Sequence, residues 1–284
     1  MLYLILAILT SSAIVVTFKL FDRYKINNIQ AITANYAIAA ILGFVTATGV
    51  ISIHAIIVAT WFPFALIVGI TLILVFNVFA LSSQKAGVAI TAVSSKMSVV
   101  IPVIIGIIFY HDVVNIWIIS GIIISLLAFY LTFKKEENVK LNKKYILLPL
   151  LLFLGNGSND SLLKHSQKFY IGDETELFLS TAFLFSFIIG VIVLFVDLRK
   201  NNRMLKIKNI AAGIILGLLN YASSYFFVKG LSHFQSSVFF PVFNVSIVCI
   251  AALVGYFIFR EKLSKTNWLG ILLALAAILI IALA

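Results

Sequence analysis

The chain has 284 residues, of which 62% are apolar and only 11% charged, against about 25% charged residues in an ordinary soluble domain. That composition excludes a soluble globular protein, which cannot hide so much apolar surface in one core, and it excludes disorder, which needs low hydrophobicity and high charge. The net charge of +11 resides in basic residues between apolar segments, the pattern of loops facing anionic lipid, so no nucleic-acid partner is expected.

A hydrocarbon core about 30 Å thick needs about 20 apolar residues per spanning helix. Apolar runs bounded by charge or turn residues predict ten spans: Leu2–Leu20, Ile29–Thr48, Trp61–Ser83, Val88–Tyr110, Ile116–Phe133, Tyr145–Gln167, Glu176–Val196, Asn209–Lys229, Ser237–Phe259 and Trp268–Leu283. The expected fold is an all-α polytopic membrane protein; the runs do not alternate with period two, which argues against a β-barrel. The apolar start at Leu2 lacks a basic leader and a cleavage site, so it reads as the first span and not as a signal peptide. The third span has an ambiguous start, because Ile53–Thr60 is also apolar and Pro63 either opens a helix or kinks it. The sixth span is the least apolar. The single cysteine, Cys249, lies in an apolar run, so neither an internal disulfide nor a zinc cluster is expected, and no cofactor is implied.

Of the 21 Lys and Arg residues, 17 fall in alternate loops on one side. The positive-inside rule makes that side cytoplasmic and leaves both termini outside. The two halves look related: Asp112 pairs with Glu261 and Gly121 with Gly270 at one offset, and Gly43 with Gly190 and Lys19 with Lys164 at slightly smaller ones. Each half has five spans, an odd number, so the second half enters from the opposite face. The expected organisation is a first repeat over 1–133, a basic cytoplasmic linker over 134–144 and an inverted second repeat over 145–284, an architecture common among secondary transporters.

Two passages carry a resemblance to a known family. One runs from Ala80-Leu81-Ser82-Ser83 through Gly87-Val88-Ala89 and Pro102 to Tyr110-His111-Asp112; the other is Phe259-Arg260-Glu261-Lys262-Leu263-Ser264, followed by Trp268-Leu269-Gly270. They resemble the EamA-like members of the drug/metabolite transporter superfamily, although Phe259 stands where glycine is usual and His111-Asp112-Val113-Val114 is the weaker of the two turns. The resemblance covers essentially the whole chain. It implies ten helices around a central cavity, with the fifth and tenth outside it, and leaves the substrate class open.

An ionisable group at membrane depth costs about 2.5–3.5 kcal/mol, so each one needs a reason. Lys96 lies about 12 Å into its span by the helical rise, too deep for easy snorkelling, and is flanked by Ser94, Ser95 and Ser98. It reads as a cation for an acidic moiety, the alternative being an ion pair between helices. In the sixth span Asn156, Asp160 and Lys164 share one face at spacing four, with Asn159 bordering it. Asp160 and Lys164 are placed to pair along the helix, and Gly155 and Gly157 favour local unwinding. The matching positions of the first span are Ser11, Ser12 and Val15, so the charge is absent from the symmetry mate. Asn77, Asn220 and Asn244 sit mid-span, Asn244 matching Ser95, and either line a cavity or bond across helices. Tyr221 and Tyr225 share a face and read either as cavity wall or as packing. These positions form the candidate substrate site, and no metal spacing links His54, His111, His165 and His233.

The function expected is a secondary transporter, taken as an exporter, of a small polar metabolite in the cell membrane. Lys96 and Lys164 suit a carboxylate and Asn156 and Asp160 an ammonium, so an amino-acid-like zwitterion ranks first. Asp160 is the candidate carrier if a proton is coupled, while pairing with Lys164 would keep it ionised, so uncoupled facilitation stays open. The alternatives are translocation of a lipid or lipid-linked substrate by the same fold, or a non-transporting membrane sensor. An enzyme is not expected, since neither paired aspartates nor a metal motif occurs at depth. The sequence leaves the oligomeric state open.

Overall fold

The computed structural model describes residues 1–47, 51–85, 94–133, 145, 147–201, 204–259 and 264–283. The described residues are helical apart from short connections. The helices are α1 (Leu2–Arg23), α2 (Asn28–Thr46), α3 (Ile53–Val58), α4 (Phe62–Lys85), α5 (Val100–Tyr110), α6 (Ile116–Phe133), α7 (Leu147–Phe169), α8 (Thr175–Lys200), α9 (Ile207–Leu231), α10 (Ser236–Phe257) and α11 (Lys265–Leu283). The helices α2, α4, α8, α9 and α10 are long and apolar enough to cross a membrane, and shorter apolar helices lie at Leu2–Phe18, Ser94–Tyr110, Ile116–Leu131 and Lys265–Ile281. The linker 134–144, Gly87-Val88-Ala89 and Arg260-Glu261-Lys262-Leu263 lie outside the described residues.

Sequence signals explain several boundaries. Asn27 caps α2, its side-chain oxygen accepting from Gln30 N at 3.2 Å. Pro63 sits in the first turn of α4, where its missing N–H costs nothing, so it starts the helix and does not kink it. The apolar stretch before it forms the separate short helix α3, which buries none of its residues.

Two expectations change. The sixth predicted span does not unwind at its glycines, because α7 is helical throughout. Gly155 and Gly157 serve close packing: a Cβ at Gly155 would lie 2.6 Å from Val75, and one at Gly157 would strike Ile101. The interruption falls in the fourth predicted span instead. The helical residues 94–97 run into a turn at Ser98 and Val99 before α5 begins. Pro102 supplies the reason. It has no N–H for the Ser98 carbonyl, which accepts from Ile101 N at 3.0 Å instead. Val99, at φ −52° and ψ −26°, has the dihedrals of a 3₁₀ turn.

The chain divides into two compact units, each drawing on both halves of the sequence. The first comprises Met1–Ile73 and His165–Ser232. In it α2 packs on α8 and α9, and α1 packs on α9. Contact is close because small residues face backbone: a Cβ at Gly217 would stand 2.8 Å from the Asn35 carbonyl, and one at Gly213 would strike the Ala31 carbonyl. Ser186 Oγ donates to Gly69 O at 2.8 Å. One end is tied by Gln30. Its side-chain oxygen accepts from Asn209 Nδ2 at 2.7 Å and Lys206 N at 3.1 Å, while its Nε2 donates to Met204 O at 2.9 Å.

The second unit comprises Leu74–Lys164 and His233–Ala284. Here α6 and α11 form the broadest contact, and α10 packs on α5, α6 and α11. Large apolar side chains such as Ile123, Ile192 and Leu272 point outward, which suits a lipid-facing surface and would be a liability in water.

Replacing Gly213 by leucine should lower unfolding stability by about 1–3 kcal/mol through overpacking against α2. Gly190→Ala, whose Cβ meets only the Thr33 side chain and backbone at 3.3 Å and beyond, should hold or raise it, because alanine exceeds glycine in helices by about 1 kcal/mol. Thermal melts of the two variants in detergent check the contrast.

Candidate functional site

The polar groups of the second unit converge around the interrupted segment. Lys96 lies just before the break and donates from Nζ to Asn244 Oδ1 at 3.3 Å. Asn244, on α10 and 8% exposed, donates from Nδ2 to Phe240 O at 3.1 Å. The side-chain oxygen is thereby turned toward the ammonium. From α7, Asn156 Nδ2 donates to Ser95 Oγ at 3.1 Å. Asp160, one turn further along α7, interacts electrostatically with Lys96. An ammonium, a carboxylate and two amides therefore come from three separate segments, each held by a different helix.

Asp160 and Lys164 were expected to be placed for pairing along the helix. The charge set against Asp160 is Lys96, and Lys164, 7% exposed, directs Nζ to Phe234 O at 3.0 Å. That contact secures the segment leading into α10. Asn159 is buried on α7 and Asn77 half-buried on α4, both within this unit. Asp112 accepts from Ser237 N at 3.1 Å and so caps the start of α10.

Asn220 and Tyr225 belong to the first unit. Asn220 Nδ2 donates to Asn35 Oδ1 at 3.1 Å, an amide pair between α9 and α2. Tyr225 stacks on Tyr221 with ring centroids 6.2 Å apart, and the Tyr221 hydroxyl bonds Thr46 at the end of α2. Glu176 and Lys229, which stand at the predicted span ends and so resemble ordinary flanking charges, join this group at an Nζ to Oε1 distance of 4.0 Å. Asn35 was also overlooked, although a polar residue in mid-span was the signal. Among the described residues no three His, Cys, Asp or Glu side chains are grouped to hold a metal.

Residues 146–283 match the EamA-like transporter family. A Haemophilus influenzae protein described as uncharacterized is 26% identical over 283 residues, covering 97% of this chain and 95% of its own. A solved crystal structure shares the fold with a TM-score of 0.81 and 12% identity, over 99% of this chain and 96% of its own.

Lys96→Met and Asp160→Asn should each destabilise the protein, since each leaves the other charge without its counterpart. The double variant should be less destabilised than the sum of the two, with a coupling of about 0.5–3 kcal/mol. Denaturation of all four proteins under one condition checks the cycle, and strict additivity would remove the pairing.

Proposed function

We propose that this chain, whose residues 146–283 belong to the EamA-like transporter family, exports a small polar metabolite of amino-acid type by alternating access. The chain is an integral membrane protein, and its family carries small solutes. The observation that carries the finer reading is the hydrogen bond of Lys96 to Asn244, with Asp160 acting on it electrostatically and Asn156 bonded to the neighbouring Ser95. Charges at membrane depth are tolerated where they serve binding or transport. An ammonium suits a carboxylate, and a carboxylate with neighbouring amides suits an ammonium, so the set fits a zwitterion better than a sugar or a lone anion.

The alternating-access reading rests on an inverted repeat of residues 1–133 and 145–284 joined by a cytoplasmic linker. Equivalent helices of the two halves pair with each other: α2 with α8, α5 with α10 and α6 with α11. Two-fold related repeats produce such self-equivalent contacts. The expected Ser95–Asn244 equivalence supports it too, since these residues flank one polar group. The basic loops are proposed to face the cytoplasm and the termini the outside, with the remaining candidates Asn77, Asn159, Lys164, Asn220 and Tyr225 lining or shaping the route.

The test begins with melts of the purified protein against amino acids, organic acids, sugars and nucleotides at two pH values. A ligand that binds only the folded protein stabilises it by about 2.7 kcal/mol at a hundredfold excess over its Kd. An amino acid is expected to stabilise the wild type and to leave Lys96→Met unmoved. Efflux of that amino acid from loaded proteoliposomes should disappear in the same variant. Undiminished efflux by Lys96→Met would exclude Lys96 from the site.

A further inference from the structure

The first unit holds a second set of charged and aromatic groups, of which the proposed route uses only Tyr225. Glu176 lies in the first turn of α8 and Lys229 in the last turns of α9. Their side chains are 15% and 25% exposed and 4.0 Å apart. The Lys229 ammonium also stands 5.6 Å from the centre of the Tyr225 ring. The ring is itself held in place. Glu176 acts electrostatically on the Tyr225 hydroxyl. The ring stacks on Tyr221, whose hydroxyl is tied to Thr46. Phe226 packs edge-on against Tyr225 at 5.6 Å and stacks on Tyr3 at 6.4 Å. Ser180 Oγ donates to the Glu176 carbonyl at 2.5 Å and braces the first turn of α8.

The receptor is thus better ordered than its occupant. A charge-assisted hydrogen bond from nitrogen to carboxylate runs about 2.7–2.9 Å, and Lys229 stops well short of one. Its long stem holds it near the ring and the carboxylate without optimal contact to either. A carboxylate beside an aromatic face is the recognised chemistry for an organic ammonium, each part adding to the attraction. A free ammonium, unlike Lys229, can approach to full contact.

We infer that Glu176 and Tyr225 form a binding site for a primary alkylammonium group, which the side chain of Lys229 occupies in the absence of ligand. Lys229 acts as a tethered competitor, so an amine-bearing solute must displace it, and its removal leaves the site open. The site is independent of Lys96 and its neighbours. A solute with an amine at one end and an acid at the other presents the group this site selects, while a simple carboxylic acid does not.

The test uses the purified full-length protein in detergent, titrated with ethylammonium chloride and with sodium chloride at equal ionic strength as control. Ethylammonium should raise the Tm of Lys229→Ala by about 2–4 °C over the control, and that of the wild type by less than about 1 °C. Adding Glu176→Gln to Lys229→Ala should abolish the shift. The readout uses neither an amino acid nor a variant of Lys96, so failure of the transport reading leaves this result in place. A Lys229→Ala protein that ignores ethylammonium, or one that responds as strongly with Glu176→Gln, overturns the inference. Should Lys229→Ala fail to fold, Lys229→Gln keeps the stem without the charge and must show the same Glu176-dependent shift; its absence is equally decisive.

Discussion

A membrane interior offers no water, so every polar group carried into it must be answered by another polar group of the same protein. Lys96 shows that constraint. Its ammonium bonds an amide oxygen from α10 and interacts electrostatically with a carboxylate on α7. Neither partner lies near it in sequence, so the charge can be buried only once segments from both halves have come together. The same demand sets the neighbours: Asn244 spends its amide nitrogen on Phe240 O and Asn156 its own on Ser95 Oγ. Lys164 answers a carbonyl at the mouth of α10. What reads as a substrate site is also the polar framework of its unit.

Apolar attraction between helices contributes little when lipid is equally apolar, and close packing takes its place. In the first unit α2 is approached so closely by α8 and α9 that Gly43, Gly213 and Gly217 leave no room for a Cβ. Serine and threonine then bond backbone carbonyls across the gap, as Thr33 does with Gly190. Gln30 closes one end by satisfying three polar groups of the chain before α9 and of its first turn. The second unit uses the same device at Gly106, where a Cβ would lie 2.5 Å from the Asp112 carboxylate. Small residues and short polar side chains therefore define contacts that apolar bulk could not.

Much of the helical layout was legible, because a run of apolar residues as long as the membrane is thick has one plain reading. Pro63 and Asn27 marked helix starts for reasons local to themselves. The unwinding expected at Gly155 and Gly157 failed because glycine propensity is a weak local preference, and the nearness of Val75 and Ile101 overrides it. The break beside Lys96 was hidden for the opposite reason: a proline such as Pro102 disturbs a helix, but where the break falls depends on which carbonyl loses its donor. The residues that meet Lys96 were all candidates on chemical grounds. Their partners were not legible, since a polar side chain on a helix announces a need without saying which helix answers it. Glu176 and Lys229 escaped notice because charges at span ends resemble the flanks of any membrane helix.

The turn at Ser98 and Val99 has a mechanical consequence. A lysine on an unbroken helix can move only with the whole rod or by rotating its own side chain. Lys96 instead stands just before a turn of two residues that leads into α5, and the Ser98 carbonyl there is bonded three residues ahead and not four. A small change in torsion at this joint swings the ammonium through the full lever of its side chain while the hydrogen-bond ladder of α5 stays intact. The joint thus lets the position of the Lys96 charge be reset while α5 stays folded.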